Sequence, residues 1–186
     1  MSESSSESRG FPPEVQVRLV SPHASGIMSG QIEIIARGTL IRGSKVLLCQ
    51  NLKHEYFYLP GGHVEFGESA AAALAREFLE ESGLRVRVTD LALVAEGVFS
   101  TKKRHHHELN LVFHVEQGGD RGAANGASNA QTHPPICSLE PGIAFAWIEL
   151  AAIPETDVRP LSAKAWLAAG AGHHPGAIEW VSEISS

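Results

Sequence analysis

Three glutamates in the middle of the chain are the residues best suited to chemistry. Glu77, Glu80 and Glu81 lie three and four positions apart, and a helix places side chains at this spacing on one side of its surface. Their like charges repel by roughly a few tenths of a kcal/mol per pair, so we expect a cation to lie over them. Carboxylate oxygens suit Mg2+ or Mn2+, whereas a zinc site would need the Cys or paired His ligands that this stretch lacks. Taken alone, the three glutamates also fit an ordinary solvated helix face.

The segment that carries these glutamates has the features of a helix packed against a sheet. Apolar residues recur at intervals of three and four, namely Ala71, Leu74, Ala75 and Phe78. This stripe predicts packing against other apolar residues. Ser69 can cap the amino-terminal end, and Gly83 can end the helix in the left-handed conformation. Arg76 and Glu80 are four positions apart, which allows an ion pair that orients the Glu80 carboxylate.

This stretch resembles the Nudix box. The fixed positions of the box are filled without a gap by Gly62, Glu68, Arg76, Glu77, Phe78, Glu80, Glu81, Gly83 and Leu84. Phe78 is larger than the usual Ile, Leu or Val, a departure that affects packing and leaves the chemistry untouched. The order of these residues favours a catalytic site over a solvated acidic helix. The resemblance extends over about residues 32–169, although the box alone carries the catalytic assignment.

The resemblance implies an α/β fold, a Nudix-type α/β/α sandwich with a mixed β-sheet in which the box forms a strand-loop-helix unit. It also implies metal-dependent attack of water on a pyrophosphate phosphorus in a nucleoside diphosphate linked to another group. Mg2+ or Mn2+ would be held by Glu77, Glu80 and Glu81. The Gly61 carbonyl is a further ligand, because the Gly61-Gly62 backbone can approach an ion closely. Glu68 would be a more peripheral ligand or support.

The general base stays open between two residues. Family members differ in which carboxylate accepts the proton from water, so Glu77 and an acidic residue outside the box are both candidates. Glu108 is the leading residue outside the box, because it stands at the mouth of a strand predicted over residues 108–115. Glu116 and Glu140 are the next candidates, and a surface glutamate without a role is the alternative for each of the three.

Two features are candidates for binding the substrate. Lys102, Lys103 and Arg104 form the most basic stretch of the chain and would contact phosphates from a loop, or would simply be a solvated turn. Tyr58 belongs to an aromatic run before the box and would pack in the core or stack on a base. His105, His106 and His107 follow the basic stretch, but consecutive strand residues point to opposite faces and cannot all reach one metal ion.

The substrate is predicted only as a class. A nucleoside triphosphate is the first choice and a nucleotide sugar the second. Within the family, particular sequence motifs are typical of enzymes that act on ADP-ribose, dinucleoside polyphosphates, NADH or coenzyme A, and this sequence lacks those motifs. A Nudix-type sensor that binds a nucleotide without hydrolysing it is the alternative function. Its weakness is that a pure binder has no need for mutually repelling carboxylates. Dimers are frequent in the family, so a homodimer is compatible with the resemblance without being decided by it.

Composition limits the other function classes. The chain has 186 residues, 43% of them apolar, which is enough for one domain with a core. With 15 basic and 21 acidic residues the net charge is -6, so we expect no stable nucleic-acid complex and no membrane binding. Two cysteines and a start without basic and apolar signal regions favour a cytoplasmic enzyme without disulfides. Cys49 lies in an apolar run and is expected to pack in the core.

The domain is predicted to occupy residues 31–170. Residues 1–30 read as a mobile tail with one short strand, and residues 171–186 as a second tail. Within the domain, residues 117–135 are rich in Gly, Ala, Asn and Gln and predict a flexible insertion. Strands are predicted over residues 32–41, 45–50, 86–88, 91–99, 108–115 and 143–148, and a second helix over residues 161–169.

Overall fold

The computed structural model describes residues 31–100, 105–118, 135–171 and 178–183. Within these ranges the chain forms strands, two α-helices and one 3-10 helix. The strands are β1 Ile32–Thr39, β2 Ile41–Arg42, β3 Lys45–Asn51, β4 Phe57–Tyr58, β5 Gly61–His63, β6 Val86–Ser100, β7 His105–Gln117, β8 Ile143–Glu149 and β9 Glu179–Glu183. The helices are α1 Ala70–Ser82 and α2 Leu161–Ala168, with the 3-10 helix over Leu150–Glu155. None of the helices in the described residues is both long and apolar enough to cross a bilayer.

The strands form two sheets. The larger sheet has the order β5-β1-β7-β6-β9, with β1 parallel to β7, β6 parallel to β9 and the other neighbours antiparallel. The predicted mixed sheet is thereby confirmed, and β7 lies at its centre. The smaller sheet is antiparallel and contains β2, β3, β4 and β8.

Two apolar cores flank the larger sheet and give the α/β/α sandwich. One core joins Phe78 and Leu74 of α1 to Ala36 of β1 and Val115 of β7. The other joins α2 and the 3-10 helix to β6 and β7 through Trp166, Leu167, Ile153, Leu93 and Val112. Each helix is therefore held against the sheet by burial of its apolar side, which is the main favourable term in folding. The buried thiol of Cys49 in β3 is packed as predicted.

Predicted strand boundaries were wrong at three places, one of them β7, which spans His105–Gln117 instead of residues 108–115. The run predicted as one strand over residues 32–41 is divided at Leu40, where the chain passes from the larger sheet to a short hairpin of β2 and β3 in the smaller one. The two strands predicted over 86–88 and 91–99 are one strand, β6. Its pairing with β7 shifts register between Val88 and Leu93, and such a bulge bends a strand without ending it.

Helix α1 begins and ends where the sequence predicts. The Ser69 side chain accepts a hydrogen bond from the Ala72 N–H at 3.2 Å, and Gly83 ends the helix with a left-handed φ of 70°. Phe78 is fully buried, and it faces Gly38 of β1. A Cβ atom on Gly38 would lie 2.7 Å from Cε2 of Phe78. The glycine thus makes room for the aromatic ring that replaces the usual aliphatic residue.

The segment after α2 adds a strand that the sequence did not predict. Residues 179–183 form β9, which pairs in parallel with β6 at the edge of the larger sheet. The Glu183 carboxylate also accepts a hydrogen bond from the Ser162 N–H at the start of α2. The predicted tail at residues 1–30, and nearly all of the predicted insertion at 117–135, lie outside the described residues.

Candidate active site

Strand β5 and helix α1 bring a glycine and a carboxylate into contact. Gly62 pairs with Ala36 of β1 at the sheet edge, and the α1 side of Gly62 is occupied by Glu77. A Cβ atom on Gly62 would lie 2.5 Å from the carboxyl carbon of Glu77. The missing side chain therefore lets the Glu77 carboxylate lie directly against the strand, at the junction between sheet and helix.

Arg76 lies at the centre of the acidic cluster. Its Nη2 is 2.8 Å from Glu68 Oε1, while its Nη1 is 2.9 Å from Glu77 Oε1 and 3.2 Å from Glu80 Oε2. Nη2 also donates to the His63 carbonyl at 3.2 Å. The predicted contact with Glu80 is present, but two other carboxylates lie closer. The hydrogen bond from Arg76 lowers the pKa of Glu68, so this carboxylate stays ionised and ties the loop before α1 to the helix.

Glu81 is the buried member of the three predicted ligands. It is only 7% exposed, and its Oε2 has no hydrogen-bond partner among the residues that the structure describes. Burial, followed by the negative charges of Glu77 and Glu140, raises the pKa of Glu81 to about 7. A buried carboxylate oxygen without a donor, beside a second carboxylate, fits a hard divalent cation that takes oxygen ligands. The carboxylate oxygens of the box are therefore suitable ligands for the Mg2+ or Mn2+ that the sequence predicts.

Arg37 of β1 is a residue of the site that sequence reasoning missed. Its Nη1 donates to the Gly61 carbonyl at 2.5 Å and to the Leu59 carbonyl at 3.3 Å. Its charge also opposes the rise in the pKa of Glu81. The predicted metal ligand Gly61 thus already accepts one hydrogen bond, and a carbonyl oxygen has a second lone pair for an ion. The only signal in the sequence was a charged residue inside an apolar strand.

Tyr58 lies beside this cluster. The Arg37 guanidinium is over its ring, 5.2 Å from the centroid, and the Tyr56 ring is 6.0 Å away. Burial raises the pKa of the Tyr58 phenol, and Glu81 contributes to the same shift. Tyr58 is half-buried, so it is neither a pure core residue nor an open stacking platform.

The three acidic candidates outside the box have different surroundings. Glu116 pairs with Arg87 at the far end of β7. Glu140 is exposed and close enough to the box for its charge to raise the pKa of Glu81. Glu108 lies in β7 at the end where that strand begins, and it accepts a hydrogen bond from Asn110 Nδ2 at 3.3 Å.

The adjacent histidines separate as their strand position predicts. His105 contacts the Ser100 hydroxyl at 2.6 Å, His106 lies 3.5 Å from Glu33, and His107 lies 2.9 Å from Glu96. They face different partners and do not form one three-histidine site. The basic residues Lys102, Lys103 and Arg104, predicted to bind phosphates, lie outside the described residues.

The sequence is similar to those of known proteins. The family model of the NUDIX domain matches residues 33–166. An ADP-ribose pyrophosphatase of Methanocaldococcus jannaschii is 34% identical over 50% of this chain and 57% of its own length. A putative 8-oxo-dGTP diphosphatase 2 of Mycobacterium tuberculosis is 43% identical over 33% of this chain and 45% of its own. The chain therefore spans about half the length of these curated relatives.

Solved structures share the fold at low sequence identity. A NUDIX hydrolase from Nitrosomonas europaea superposes with a TM-score of 0.57 at 17% identity, over 86% of this chain and 84% of that chain. The MutT protein from Methanosarcina mazei Go1 gives a TM-score of 0.56 at 18% identity, over 77% and 95% of the two chains. These similarities support the arrangement of sheets and helices described above.

Proposed function

Because the chain belongs to the Nudix family, we propose that it hydrolyses a pyrophosphate bond in a nucleoside diphosphate linked to another group. The observation that carries this proposal is the buried carboxylate of Glu81, whose Oε2 lacks a donor among the described residues. Glu77 lies close enough to raise the pKa of Glu81. Holding two carboxylates this close together lowers stability unless a cation lies between them. Such a pair is expected in the active site of a metal-dependent enzyme.

We assign Mg2+ or Mn2+ to Glu77, Glu80 and Glu81, with the Gly61 carbonyl as a further ligand. When bound, a divalent ion there polarises the phosphoryl oxygens and lowers the pKa of the attacking water. Arg76 positions the site by holding Glu77 and Glu80 through the same nitrogen, at 2.9 and 3.2 Å. Its guanidinium neutralises part of the carboxylate charge and fixes the rotamers of both side chains.

The base is Glu77 or Glu108, and kinetics can separate the two. Glu77 is held by Arg76, whereas Glu108 is held by Asn110. Replacing a metal ligand by Gln weakens metal affinity and lowers kcat together. Replacing a residue that only accepts the proton lowers kcat, typically by about 100-fold or more, at unchanged metal affinity. The metal concentration giving half-maximal rate, measured for Glu77→Gln and Glu108→Gln, therefore distinguishes the two assignments.

The proposed substrate is a nucleoside triphosphate, with a nucleotide sugar as the second choice. The triphosphate is in keeping with the relative named 8-oxo-dGTP diphosphatase, and a sugar-linked diphosphate with the relative named ADP-ribose pyrophosphatase. Lys102, Lys103 and Arg104 are assigned to the substrate phosphates, and Tyr58 to the nucleoside. The Arg37 guanidinium lies over the half-buried Tyr58 ring, so a base bound at the exposed part of the ring would meet an aromatic and cationic surface.

The test is release of phosphate or nucleoside monophosphate from a substrate panel. The panel contains nucleoside triphosphates, ADP-ribose, NADH, dinucleoside polyphosphates and nucleotide sugars, with Mg2+ or Mn2+ and with chelator. We expect metal-dependent turnover of one class, reduced by at least about 100-fold in Glu81→Gln. Glu155→Gln, an exposed acidic residue of the 3-10 helix, is the matched control and should remain active. Ligand binding without turnover of any panel member would instead support the nucleotide sensor.

A further inference from the structure

A second group of metal-ligating side chains lies where β1 and β7 begin. Glu33, His106 and Glu108 each offer one ligand atom, and these atoms all lie within 4.8 Å of one another. The strands are parallel and Glu33 pairs with Glu108, so the two carboxylates are neighbours across the sheet. His106 precedes Glu108 by two positions and therefore shares its face.

We propose that Glu33, His106 and Glu108 bind one divalent transition-metal ion of the Zn2+ type, at a site separate from the carboxylates of α1. An imidazole nitrogen with two carboxylate oxygens is a ligand set that suits Zn2+. Mg2+ strongly prefers oxygen ligands. The two sites therefore select different ions, and this inference does not depend on the hydrolase proposal.

The separation of the ligand atoms is compatible with zinc. Glu33 Oε2 lies 3.5 Å from His106 Nδ1. Two ligands with bonds of about 2.1 Å at a tetrahedral angle lie roughly 3.4 Å apart, so this pair needs almost no movement. The other distances between ligand atoms are at most 4.8 Å, so they would have to shorten by no more than roughly 1.4 Å to reach the same spacing. Side-chain rotation of Glu108 supplies a movement of that size, and a water molecule would complete four-coordination.

Neighbouring residues hold these ligands in place. The Phe99 ring stacks on His106 with centroids 4.8 Å apart and planes inclined by 8°. Asn110 Nδ2 donates to Glu108 at 3.3 Å. Such outer contacts fix ligand orientation in protein metal sites. The side chains of His106 and Glu33 are only 13% and 17% exposed. The Glu33 carboxylate is therefore largely buried, and it lies close to the carboxylate of Glu108. A cation bound between two such carboxylates is favourable.

This group and the carboxylates of α1 lie on opposite faces of the sheet edge, so a metal ion held by Glu108 here would leave Glu77 as the general base of the proposed hydrolysis. Gly38 of β1 faces Phe78 of α1, and alternation along the strand turns Glu33 to the other face. On β5, Gly62 faces Glu77, and the next residue, His63, lies 3.6 Å from Glu33 on the far side. Both His63 and His106 therefore lie within 3.6 Å of Glu33, and a binding measurement tests directly for a metal ion at this group.

The experiment measures Zn2+ binding by the full chain through competition with a chromogenic chelator, in excess Mg2+ that competes for the carboxylates of α1. Wild type is compared with His106→Ala and with Glu33→Gln, which preserves side-chain size. His105→Ala is the matched control, because His105 is the adjacent exposed histidine and contacts Ser100 instead. We expect one Zn2+ site to be lost in His106→Ala, weakened by at least about tenfold in Glu33→Gln, and retained in His105→Ala.

Several results would overturn the proposal of a second metal site. Zn2+ stoichiometry and affinity equal to wild type in His106→Ala would do so, as would an equal loss in His105→Ala. If His106→Ala does not fold, as judged by circular dichroism, Glu33→Gln decides the question alone. Glu81→Gln separates the two proposals: it should lose turnover and keep the Zn2+ site. Loss of Zn2+ in that variant would place the ion on α1 and refute the second site.

Discussion

At the scale of single residues, the carboxyl group of Glu81 is buried and lies close to other negative charges. Burial and the neighbouring Glu77 and Glu140 raise its pKa to about 7, from an ordinary value of 4.5. In the folded, metal-free protein this carboxyl group therefore holds its proton at pH values where the unfolded chain has released it. Ionisation of this buried carboxyl group therefore lowers the stability of the metal-free protein.

The first prediction concerns the pH dependence of this cost. Below about pH 4.5 Glu81 is protonated in both states. Between about pH 4.5 and 7 the unfolded state binds fewer protons, so the free energy of unfolding falls as pH rises, by on the order of 1–3 kcal/mol. Urea unfolding in chelator at about pH 5 and pH 8 should show that Glu81→Gln loses less stability than wild type over this interval. Equal losses in the two proteins would contradict the raised pKa.

The second prediction uses the contact between Gly62 and Glu77. In Gly62→Ala the new methyl group would meet the Glu77 carboxyl carbon at 2.5 Å, and that carboxylate is the movable end of a flexible side chain. We therefore expect it to swing away, with a change in stability below about 1 kcal/mol but a loss of metal affinity and of turnover of about tenfold or more. Isothermal titration with Mn2+ and the hydrolysis assay measure the two effects.

Gly97→Ala provides the control for this variant. A Cβ atom on Gly97, in β6, meets nothing within 4 Å, so both metal affinity and turnover should stay near wild type. Unchanged metal binding in Gly62→Ala would show that Glu77 is not a ligand. A large loss of stability in the same variant would show that the backbone, rather than the side chain, had to move.

At the scale of elements, the sequence predicts what depends on neighbours along the chain. Helix α1 has the predicted caps because Ser69 and Gly83 act within one turn of its ends. The contacts that the sequence could not supply are those set by strand register. Arg37 reaches the Gly61 carbonyl, and Glu33 meets Glu108, only because β1 lies between β5 and β7. Such pairings join residues far apart in the chain, and periodicity alone does not specify them.

The third prediction concerns the packing of α1 on β1. Gly38→Ala would place a methyl group 2.7 Å from Cε2 of buried Phe78, and overpacking of this kind costs about 1–3 kcal/mol. Phe78→Leu restores the usual aliphatic residue and removes the ring atoms that clash. In a double-mutant cycle measured by chemical denaturation, Gly38→Ala should therefore cost less in the Phe78→Leu background than in wild type. Additive effects would mean that the ring yields without strain.

At the scale of the whole molecule, the end of the described chain connects two parts of the fold. Strand β9 extends the larger sheet beside β6, and Glu183 of this strand accepts a hydrogen bond from Ser162 in α2. The sequence analysis assigns residues 171–186 to a second tail, whereas Glu179–Glu183 form a strand. The five-residue strand is stabilised by pairing with an existing edge, and its own sequence carries only a weak strand signal.

The last prediction tests whether Glu183 caps α2 from a distance. Pro160, the residue before this helix, makes no side-chain capping bond, and the Glu183 carboxylate brings an acceptor and a negative charge to the positive end of the helix dipole. Glu183→Ala should therefore lower the free energy of unfolding by about 1 kcal/mol without changing kcat. Glu179→Ala, at an exposed position of the same strand, should have a much smaller effect. Since Gln retains an oxygen acceptor, Glu183→Gln should recover part of the loss, and any further deficit measures the contribution of charge. Equal destabilisation by the two alanine variants would instead assign the effect to strand propensity in β9.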